Sequence, residues 1–380
     1  MFRGRRHLHG SGRRAVLPAH DACGFSTAAN ALQLLRAVEH QDRQSRVLMG
    51  SVPFDPREPA HLVIPELVVE HDGRASDPPT SPPSTPTSVS PPDDPAYRAG
   101  VEQVLTEIRV GTVDKVVLAR AAVVEAAESI DTGALLAAFT RRNPDGYAYH
   151  MPLADESVLV GASPELLAEV SGSTVRSHPL AGTCARETDP GRDDVVRRCL
   201  MDSAKDQREH AILVTDLEAG LGWLTTKLDV PAGPSLVATD RLWHLGTEVT
   251  GSLPAWVAAL DVAYAVHPTA AVLGVPAPRA LALIHALEPC RRGTFAGLVG
   301  WMDSSGEGEW AIALRCAAVT DRRALIYAGA GIVAGSTPDK EHDETAAKLG
   351  TALSALGDVA TITDVRPARA AAEADGMVRT

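Results

Sequence analysis

The sequence predicts an α+β protein built on antiparallel β-sheet. Near the C-terminus three apolar strands follow one another with no helical pattern between them, and strands joined in this way pair antiparallel. They span residues 297–302, 311–319 and 324–328. Two earlier strands, at 147–153 and 158–161, are close enough in sequence to form another such pair. Helices are predicted where apolar residues recur at helical spacing, at residues 27–39, 96–110 and 280–287.

A linker rich in proline, serine and threonine divides the chain. Residues 77–95 read DPPTSPPSTPTSVSPPDDP, and we expect a flexible, partly polyproline segment because this composition cannot bury a core. Residues 1–76 are predicted to form a small α/β subdomain, with strands at 45–52 and 62–69. The remaining predicted boundaries are 96–360 for the main domain and 361–380 for a flexible tail.

The composition limits the partners that the protein can have. Its formal net charge is −12, which argues against nucleic acid and anionic membranes as partners. The most apolar segment, residues 262–278, contains three prolines, a glycine and His267, so no membrane span is predicted. An anionic substrate would need local cations or a metal ion to reverse the field of the whole protein.

Cysteine usage and the first residues indicate a compartment. Five scattered cysteines without a C-x-x-C pair suit reduced thiols better than a disulfide framework or a zinc site. The basic opening MFRGRRHLHGSGRR is not followed by an apolar stretch, so it is not a secretory signal. We therefore expect a cytoplasmic protein.

A glycine-rich stretch followed by acidic residues, at 328–348, is the first candidate site. Gly329 and Gly331 would let the backbone approach a ligand closely, since glycine has no Cβ. Three charged residues share one face of the helix predicted after these glycines. They are Glu341, Glu344 and Lys348. That face suits a hard cation holding an anionic ligand, or a surface helix with an internal ion pair. The glycine spacing does not match a nucleotide-binding loop.

Other charged positions are open to more than one interpretation. Lys115 precedes an apolar strand. It is either the exposed end of that strand or a buried lysine that acts as a base. Glu165, between a proline and two leucines, is either a helix N-terminal acid or a carboxyl group that apolar surroundings keep protonated. Glu209 follows Lys205 by one helical turn, which is the spacing of an ion pair on a solvent-exposed helix face. Arg315, within an apolar strand, is expected to face a buried partner or a ligand carboxylate.

These positions fall within motifs that together resemble one family. The motifs are KVVLAR at 115–120, GASPELL at 161–167, PLAGT at 179–183, SAKDQREH at 203–210, HPT at 267–269, Arg315, and the stretch from Gly329 to Lys348 with Glu341 and Glu344. They resemble those of the chorismate-utilising enzymes, the superfamily of isochorismate, salicylate, anthranilate and aminodeoxychorismate synthases. The resemblance covers residues 96–356. It implies two packed antiparallel β-sheets flanked by helices, with residues 96–360 as the chorismate-binding catalytic domain.

The resemblance also implies a substrate and a metal. The family binds chorismate, a dianion, through Mg²⁺. The implied metal ligands are Glu209, Glu341 and Glu344. The implied substrate-binding residues are Gly182, Thr183, His244, Arg315, Gly329, Gly331 and Lys348. The metal and the cationic side chains would then reverse the local field of an acidic protein.

Two positions indicate a branch of the family. Branches that add ammonia carry glutamine where this chain has Lys115, and the aminodeoxychorismate branch carries lysine where it has Ala181. The resemblance therefore implies that Lys115 activates water for attack at C2 while Glu165 protonates the departing 4-hydroxyl, giving isochorismate. These roles require a site that favours neutral Lys115 and protonated Glu165. A glutaminase subunit is not expected, and the protein is expected to be a monomer.

Two alternatives accompany this interpretation. Salicylate synthases share Lys115 and Glu165 but go on to eliminate pyruvate, whereas HPTAAV at 267–272 resembles the isochorismate branch. A non-catalytic chorismate-binding relative is the alternative from another class. Phe295 stands where several relatives carry tyrosine, so a hydroxyl contact to the substrate would be missing. The product would enter menaquinone, siderophore or salicylate biosynthesis.

Overall fold

The structure is a computed structural model that describes residues 1–4, 6–23, 26–41, 46–71, 89–239 and 241–369. The helices found there are α1 (Ser26–Gln41), α2 (Pro95–Arg109), α3 (Thr132–Arg142), α4 (Pro190–Asp202), α5 (Ala204–Gly222), α6 (Ala259–Val266), α7 (Ala277–Leu287) and α8 (Pro338–Gly357). None of these helices is long and apolar enough to cross a membrane. The strands are β1 (Phe2–Arg3), β2 (His7–Ser11), β3 (Ala15–Val16), β4 (Val47–Val52), β5 (His61–Ile64), β6 (Leu67–His71), β7 (Lys115–Ala126), β8 (Tyr147–Pro152), β9 (Val158–Ser163), β10 (Leu166–Ser171), β11 (Thr174–His178), β12 (Leu180–Ala185), β13 (Lys227–Asp229), β14 (Ser235–Ala238), β15 (Leu242–Gly246), β16 (Val249–Ser252), β17 (Gly274–Val275), β18 (Leu298–Asp303), β19 (Gly308–Ile312), β20 (Cys316–Thr320), β21 (Arg323–Ile332) and β22 (Ile362–Pro367).

These strands form three antiparallel sheets. The first has the order β17-β7-β21-β20-β9-β8-β1-β2-β6, with β22 also paired to β7. The second has the order β13-β16-β11-β10-β19-β18-β4-β5-β3, and the third is β12-β15-β14. Tyr149 of the first sheet and Trp310 of the second lie in one hydrophobic core. The predicted α+β class with two packed antiparallel sheets is confirmed, and the small third sheet is an addition to it.

Strands from the first 71 residues complete both large sheets. In the first sheet β1 pairs with β8, with Phe2 opposite Tyr149. In the second sheet β4 pairs with β18, with Val52 opposite Leu298. Phe2 and Leu298 are both fully buried in the same core. The segment predicted as a subdomain, residues 1–76, therefore shares its sheets and its core with the rest of the chain.

Only the last part of the predicted linker lies within the described residues. Residues 77–88 are outside them, whereas residues 89–95 make specific contacts. The carbonyl of Pro92 accepts a hydrogen bond of 2.7 Å from the Arg120 guanidinium. The side chain of Asp94 caps α2 by accepting a hydrogen bond from a backbone N–H of its first turn. This end of the linker is therefore held by hydrogen bonds to β7 and α2.

The prediction of a flexible tail at 361–380 is wrong for its first residues. Ile362–Pro367 form β22, which pairs with β7, and Ala368 is buried beside it. Asp364 is exposed, and strands at a sheet edge commonly carry such charges, so the hydrophobic alternation that marks a strand is weak here. Residues 370–380 lie outside the described part of the chain.

Two predicted strands are divided in the structure. The strand predicted at 311–319 is β19 followed by β20, because Arg315 between them has a left-handed φ of +51°; Arg315 is therefore not inside a strand. The strand predicted at 62–69 breaks at Pro65, which has no N–H to donate to a ladder.

The N-termini of two long helices bring acidic residues to the same region. Helix α5 begins after Ser203, whose hydroxyl accepts a hydrogen bond from the N–H of Asp206, and it packs on β12. Helix α8 begins at Pro338, a residue suited to a first helical position, and it packs on β21. The described structure thus places the first turns of both helices beside the ends of β7 and β21.

Candidate active site

Two adjoining cavities hold most of the predicted site residues. The first is lined by nine of them. They are Glu165, Thr183, Glu209, His244, Arg315, Gly329, Gly331, Glu344 and Lys348. The second is lined by Glu341 and shares Thr183 and Glu344 with the first. Of the remaining predicted residues, Lys115 contacts the lining residue Glu209. Gly182 adopts a φ of +78° where an added Cβ would lie 3.0 Å from the Asp206 side chain.

Lys115 is the first residue of β7, and its side chain is completely buried. Its Nζ lies 3.1 Å from Oε1 of Glu209 on α5. A Cβ at Gly331 of β21 would lie 2.0 Å from that Glu209 oxygen and 2.9 Å from Cε of Lys115. Glycine at 331 therefore makes room for this ion pair. The interpretation of Lys115 as an exposed strand end is excluded.

Glu165 lies in the bend between β9 and β10 and is only 3% exposed. Burial raises its pKa to about 7, although the backbone N–H of Leu180 and the charges of Lys115 and Lys348 oppose the shift. The Leu180 N–H donates to Oε1 of Glu165 at 3.2 Å. The predicted upward pKa shift is confirmed, and the interpretation as a helix N-terminal acid is wrong because β10 follows. This carboxyl can donate a proton near neutral pH.

Each of the three predicted metal ligands is paired with a lysine. The Nζ–Oε1 distances are 3.1 Å for Lys115–Glu209, 3.1 Å for Lys205–Glu341 and 2.7 Å for Lys348–Glu344. Among the described residues, no three acidic, histidine or cysteine side chains lie close enough together to hold a metal ion. The three carboxylates therefore stand in one region as separate ion pairs.

The donor chemistry of these carboxylates nevertheless fits Mg²⁺, which prefers oxygen ligands. Both carboxylate oxygens of Glu341 are buried, and neither accepts a hydrogen bond of good geometry from the described residues. Burial and the neighbouring Glu344 raise the pKa of Glu341, against the effect of Lys205. Burial also raises the pKa of Glu209, but Lys115, with Lys205 and Lys348, outweighs it, so the net shift is downward. Buried carboxylates that repel one another in this way attract a cation.

Arg315 is half-buried and presents a positive group to the first cavity. Its Nη1 has no hydrogen-bond partner within the described structure, and burial lowers its pKa to about 10. Its left-handed backbone places it at the break between β19 and β20. An arginine fork with an unsatisfied N–H suits a ligand carboxylate.

His244 and Thr183 form a polar pair on facing strands. Nδ1 of His244 on β15 lies 2.9 Å from Oγ1 of Thr183 on β12. Burial, with the charges of Arg315 and Lys348, lowers the pKa of His244 well below its ordinary value, so the ring is neutral. Its Nε2 has no hydrogen-bond partner in the described part of the chain. The pair can therefore position a polar ligand group without adding charge.

Arg292 is a lining residue that the sequence analysis missed. Its guanidinium pairs with Glu288, donates to the carbonyls of Val272 and Val117 at 2.6 and 2.8 Å, and lies 4.2 Å from the ring centroid of Phe54. Glu288 in turn accepts from a backbone N–H of β7. The sequence carries two adjacent arginines at this point and no periodic signal that separates the buried Arg292 from its neighbour.

An aromatic pair forms another part of the wall. Phe295 and Tyr327 stack with ring centroids 4.9 Å apart and an interplanar angle of 10°. The Tyr327 hydroxyl donates to the carbonyl of Arg291. Tyr327 was also missed, because its strand pattern is explained equally well by packing. The stack offers a flat apolar surface for a ring-shaped ligand.

The fold and this set of residues define an enzyme that binds chorismate, and the comparisons agree. The sequence profile described as "Chorismate binding enzyme" matches residues 23–357. Isochorismate synthase DhbC of Bacillus subtilis (strain 168) is 39% identical over 86% of this chain and 84% of its own length. Isochorismate synthase EntC of Escherichia coli (strain K12) is 36% identical over 83% of each chain.

A solved structure gives the same result. The menaquinone-specific isochorismate synthase MenF from Escherichia coli superposes with a TM-score of 0.79 at 27% identity, covering 93% of this chain and 87% of that one. The chain belongs to the chorismate-binding enzyme family, as the sequence motifs predicted.

Proposed function

We propose that the protein is an isochorismate synthase, which adds water at C2 of chorismate and releases the hydroxyl of C4 as water. The observation that carries this proposal is Glu165, a buried carboxyl with a pKa raised to about 7 in the cavity that Glu209, the partner of Lys115, also lines. One water enters and one leaves, so the reaction is an isomerisation. The identity of 36–39% to the two isochorismate synthases supports the same function.

Lys115 is the proposed base that takes a proton from the attacking water. Its side chain is completely buried, and the Glu209 carboxylate lies 3.1 Å from its Nζ. Glu165 is the proposed acid, because the protonated carboxyl is the form that can donate to the departing hydroxyl.

The dianionic substrate needs positive charge in an acidic protein. Arg315 has an unsatisfied buried N–H, and Lys348 lines the same cavity. We propose that Glu209, Glu341 and Glu344 hold Mg²⁺. When bound, the metal would act as a Lewis acid that neutralises a substrate carboxylate. Thr183 and His244 are placed to orient the polar groups of the ring, with Gly182, Gly329 and Gly331 allowing close backbone approach.

The remaining expectations are part of the proposal. We expect a cytoplasmic monomer that works without a glutaminase subunit, because the nucleophile is water rather than ammonia. None of the five cysteines forms a disulfide in the described structure, which supports a reducing compartment. The menaquinone-specific MenF among the solved relatives supports a role in menaquinone biosynthesis, with siderophore and salicylate biosynthesis as the alternatives.

The product decides between this function and its alternative. Purified protein, chorismate and Mg²⁺ should give isochorismate in equilibrium with chorismate when the mixture is resolved by chromatography. A chelator should stop the reaction, and added Mg²⁺ should restore it. Salicylate and pyruvate as the main products would assign the protein to the salicylate synthases. Chorismate binding without turnover would indicate a non-catalytic relative.

A further inference from the structure

Lys205 is a lysine of the second cavity that the proposed mechanism does not use. It stands in the first turn of α5, and its side chain is 26% exposed. Its Nζ lies 3.1 Å from Oε1 of Glu341, which is 1% exposed and stands in the first turn of α8. The sequence suggested a pairing of Lys205 with Glu209 along the same helix. The structure instead pairs it across the cavity.

The Lys205 ammonium lies where the negative charge of the site is concentrated. Glu341 and Glu344 face it from α8, and Asp206 and Glu209 face it from α5. Lys115 is completely buried and Lys348 is 18% exposed, so Lys205 is the most accessible of the three lysines that neutralise this site. An ammonium and a divalent cation repel each other at such short range. A metal ion bound by Glu341 therefore requires Lys205 to move.

The structure also provides a second partner for Lys205. Oδ1 of Asp206 lies 4.0 Å from the same Nζ, and Asp206 lines the same cavity as Lys205 and Glu341. A rotation of the lysine stem can therefore exchange one carboxylate for the other. The long, flexible lysine side chain suits such an exchange.

We propose that Lys205 is an internal counter-ion that competes with Mg²⁺ for Glu341, and that metal binding displaces its ammonium towards Asp206. The inference rests on the proposed function, because it takes Glu341 as a metal ligand. In the metal-free protein Lys205 compensates the buried carboxylate. It thereby weakens metal binding, so that Mg²⁺ binds most tightly when chorismate adds its own carboxylate to the site.

The test compares Mg²⁺ affinity in the absence of chorismate. Isothermal titration with MgCl₂ at fixed pH and ionic strength is applied to the wild type, Lys205→Met, Lys205→Arg and Lys340→Met. Lys340 is an exposed lysine that lines the same cavity, so its loss controls for net charge. We expect Lys205→Met to bind Mg²⁺ at least about tenfold more tightly, since it removes a competing cation. Lys205→Arg and Lys340→Met should remain within about threefold of the wild type.

A second measurement follows the metal-free protein. Lys205→Met should lower the melting temperature in chelator, because Glu341 loses its counter-ion, and Mg²⁺ should raise its melting temperature more than that of the wild type. Equal or weaker Mg²⁺ binding by Lys205→Met overturns the proposal, as does an equal gain in Lys340→Met or Lys205→Arg. If the wild type makes no isochorismate, the proposed function fails, while these affinities still decide the competition. If it makes isochorismate and Lys205→Met gains no affinity, only the competition fails.

Discussion

At the scale of one residue, burial gives Glu165 the raised pKa that its proposed role as an acid requires. Its ordinary pKa is 4.5 and its pKa in the folded protein is about 7. Between these values the unfolded chain loses the proton while the folded protein keeps it. The contribution of Glu165 to stability is therefore complete below about pH 4.5 and is lost as the pH rises towards 7.

The first prediction follows from this shift. A difference between 4.5 and about 7, at about 1.4 kcal/mol for each pH unit, corresponds to about 3.5 kcal/mol. Relative to the wild type, Glu165→Gln should gain stability by up to this amount between pH 5 and pH 8. Urea unfolding at both pH values measures it, with the exposed Glu102→Gln as a control. Parallel pH dependence of the wild type and Glu165→Gln would contradict the raised pKa.

The second prediction concerns Lys115, the proposed base. Lys115→Gln keeps a hydrogen-bond donor beside the buried Glu209, which limits the cost of leaving that carboxylate without its cation. Turnover should fall by about 10²–10⁴-fold, the usual scale for general acid–base catalysis. The affinity for chorismate should stay within about threefold of that of the wild type. Parallel losses of turnover and affinity would make Lys115 a structural residue and not a base.

At the scale of elements, Arg120 joins β7 to α8. Its guanidinium donates to Oγ1 of Thr345 at 2.9 Å and to the carbonyl of His342 at 3.3 Å. A third hydrogen bond reaches Pro92 in the segment before α2. Since α8 carries Glu341 and two further site residues, Arg120 sets the distance between those residues and the strand that carries Lys115.

The third prediction tests this link. Arg120→Met keeps most of the side-chain volume and removes the three hydrogen bonds, two of which are buried. The free energy of unfolding should fall by at least about 2 kcal/mol, because hydrogen bonds from a charged donor to buried acceptors are lost. The Michaelis constant for chorismate should also rise, because the site residues on α8 lose their position relative to β7. Arg109→Met, at an exposed position of α2, is the matched control. A variant as stable as this control would show that α8 is held by other contacts.

The elements differ in how well the sequence predicts them. Helices α2 and α8 and the body of β7 follow from local signals, namely periodic apolar residues and the capping and proline positions at helix starts. The site residues follow from motifs carried over from a family. The pairing of Lys205 with Glu341 and the hydrogen bond from Arg292 to Val117 do not, because each of these partners lies on an element far away in sequence. Local spacing favours a neighbour on the same helix, and tertiary packing selects another residue.

At the scale of the whole molecule, the strands from residues 1–71 are needed for the rest of the chain to fold. Without residues 1–71, β8 and β18 would become sheet edges, and the core would lose fully buried side chains such as Phe2 and Leu48. Unpaired edge strands with apolar faces associate with other chains. The linker therefore separates two pieces of sequence but not two pieces of the core.

The fourth prediction uses this arrangement. Deletion of residues 1–71 should abolish the cooperative urea transition and give an aggregating protein in size-exclusion chromatography. Because such a deletion is severe, Leu48→Ala provides a milder test. It should cost about 2–5 kcal/mol, as expected for a fully buried leucine, whereas the exposed Leu67→Ala should cost less than about 0.5 kcal/mol. A soluble, cooperatively folding deletion variant would show that residues 89–369 fold independently.

The pairing of β4 with β18 has a consequence for the synthesis of the protein on the ribosome. About 250 residues separate Val52 from its partner Leu298, and ribosomes add about 5–20 residues each second. Strand β4 is therefore synthesised roughly 10–50 s before its partner β18 emerges from the ribosome. During that interval an apolar segment such as β4, VLMGSV, is unpaired and prone to associate with other chains. Rare codons placed between the two strands would lengthen this exposure and lower the yield of native enzyme.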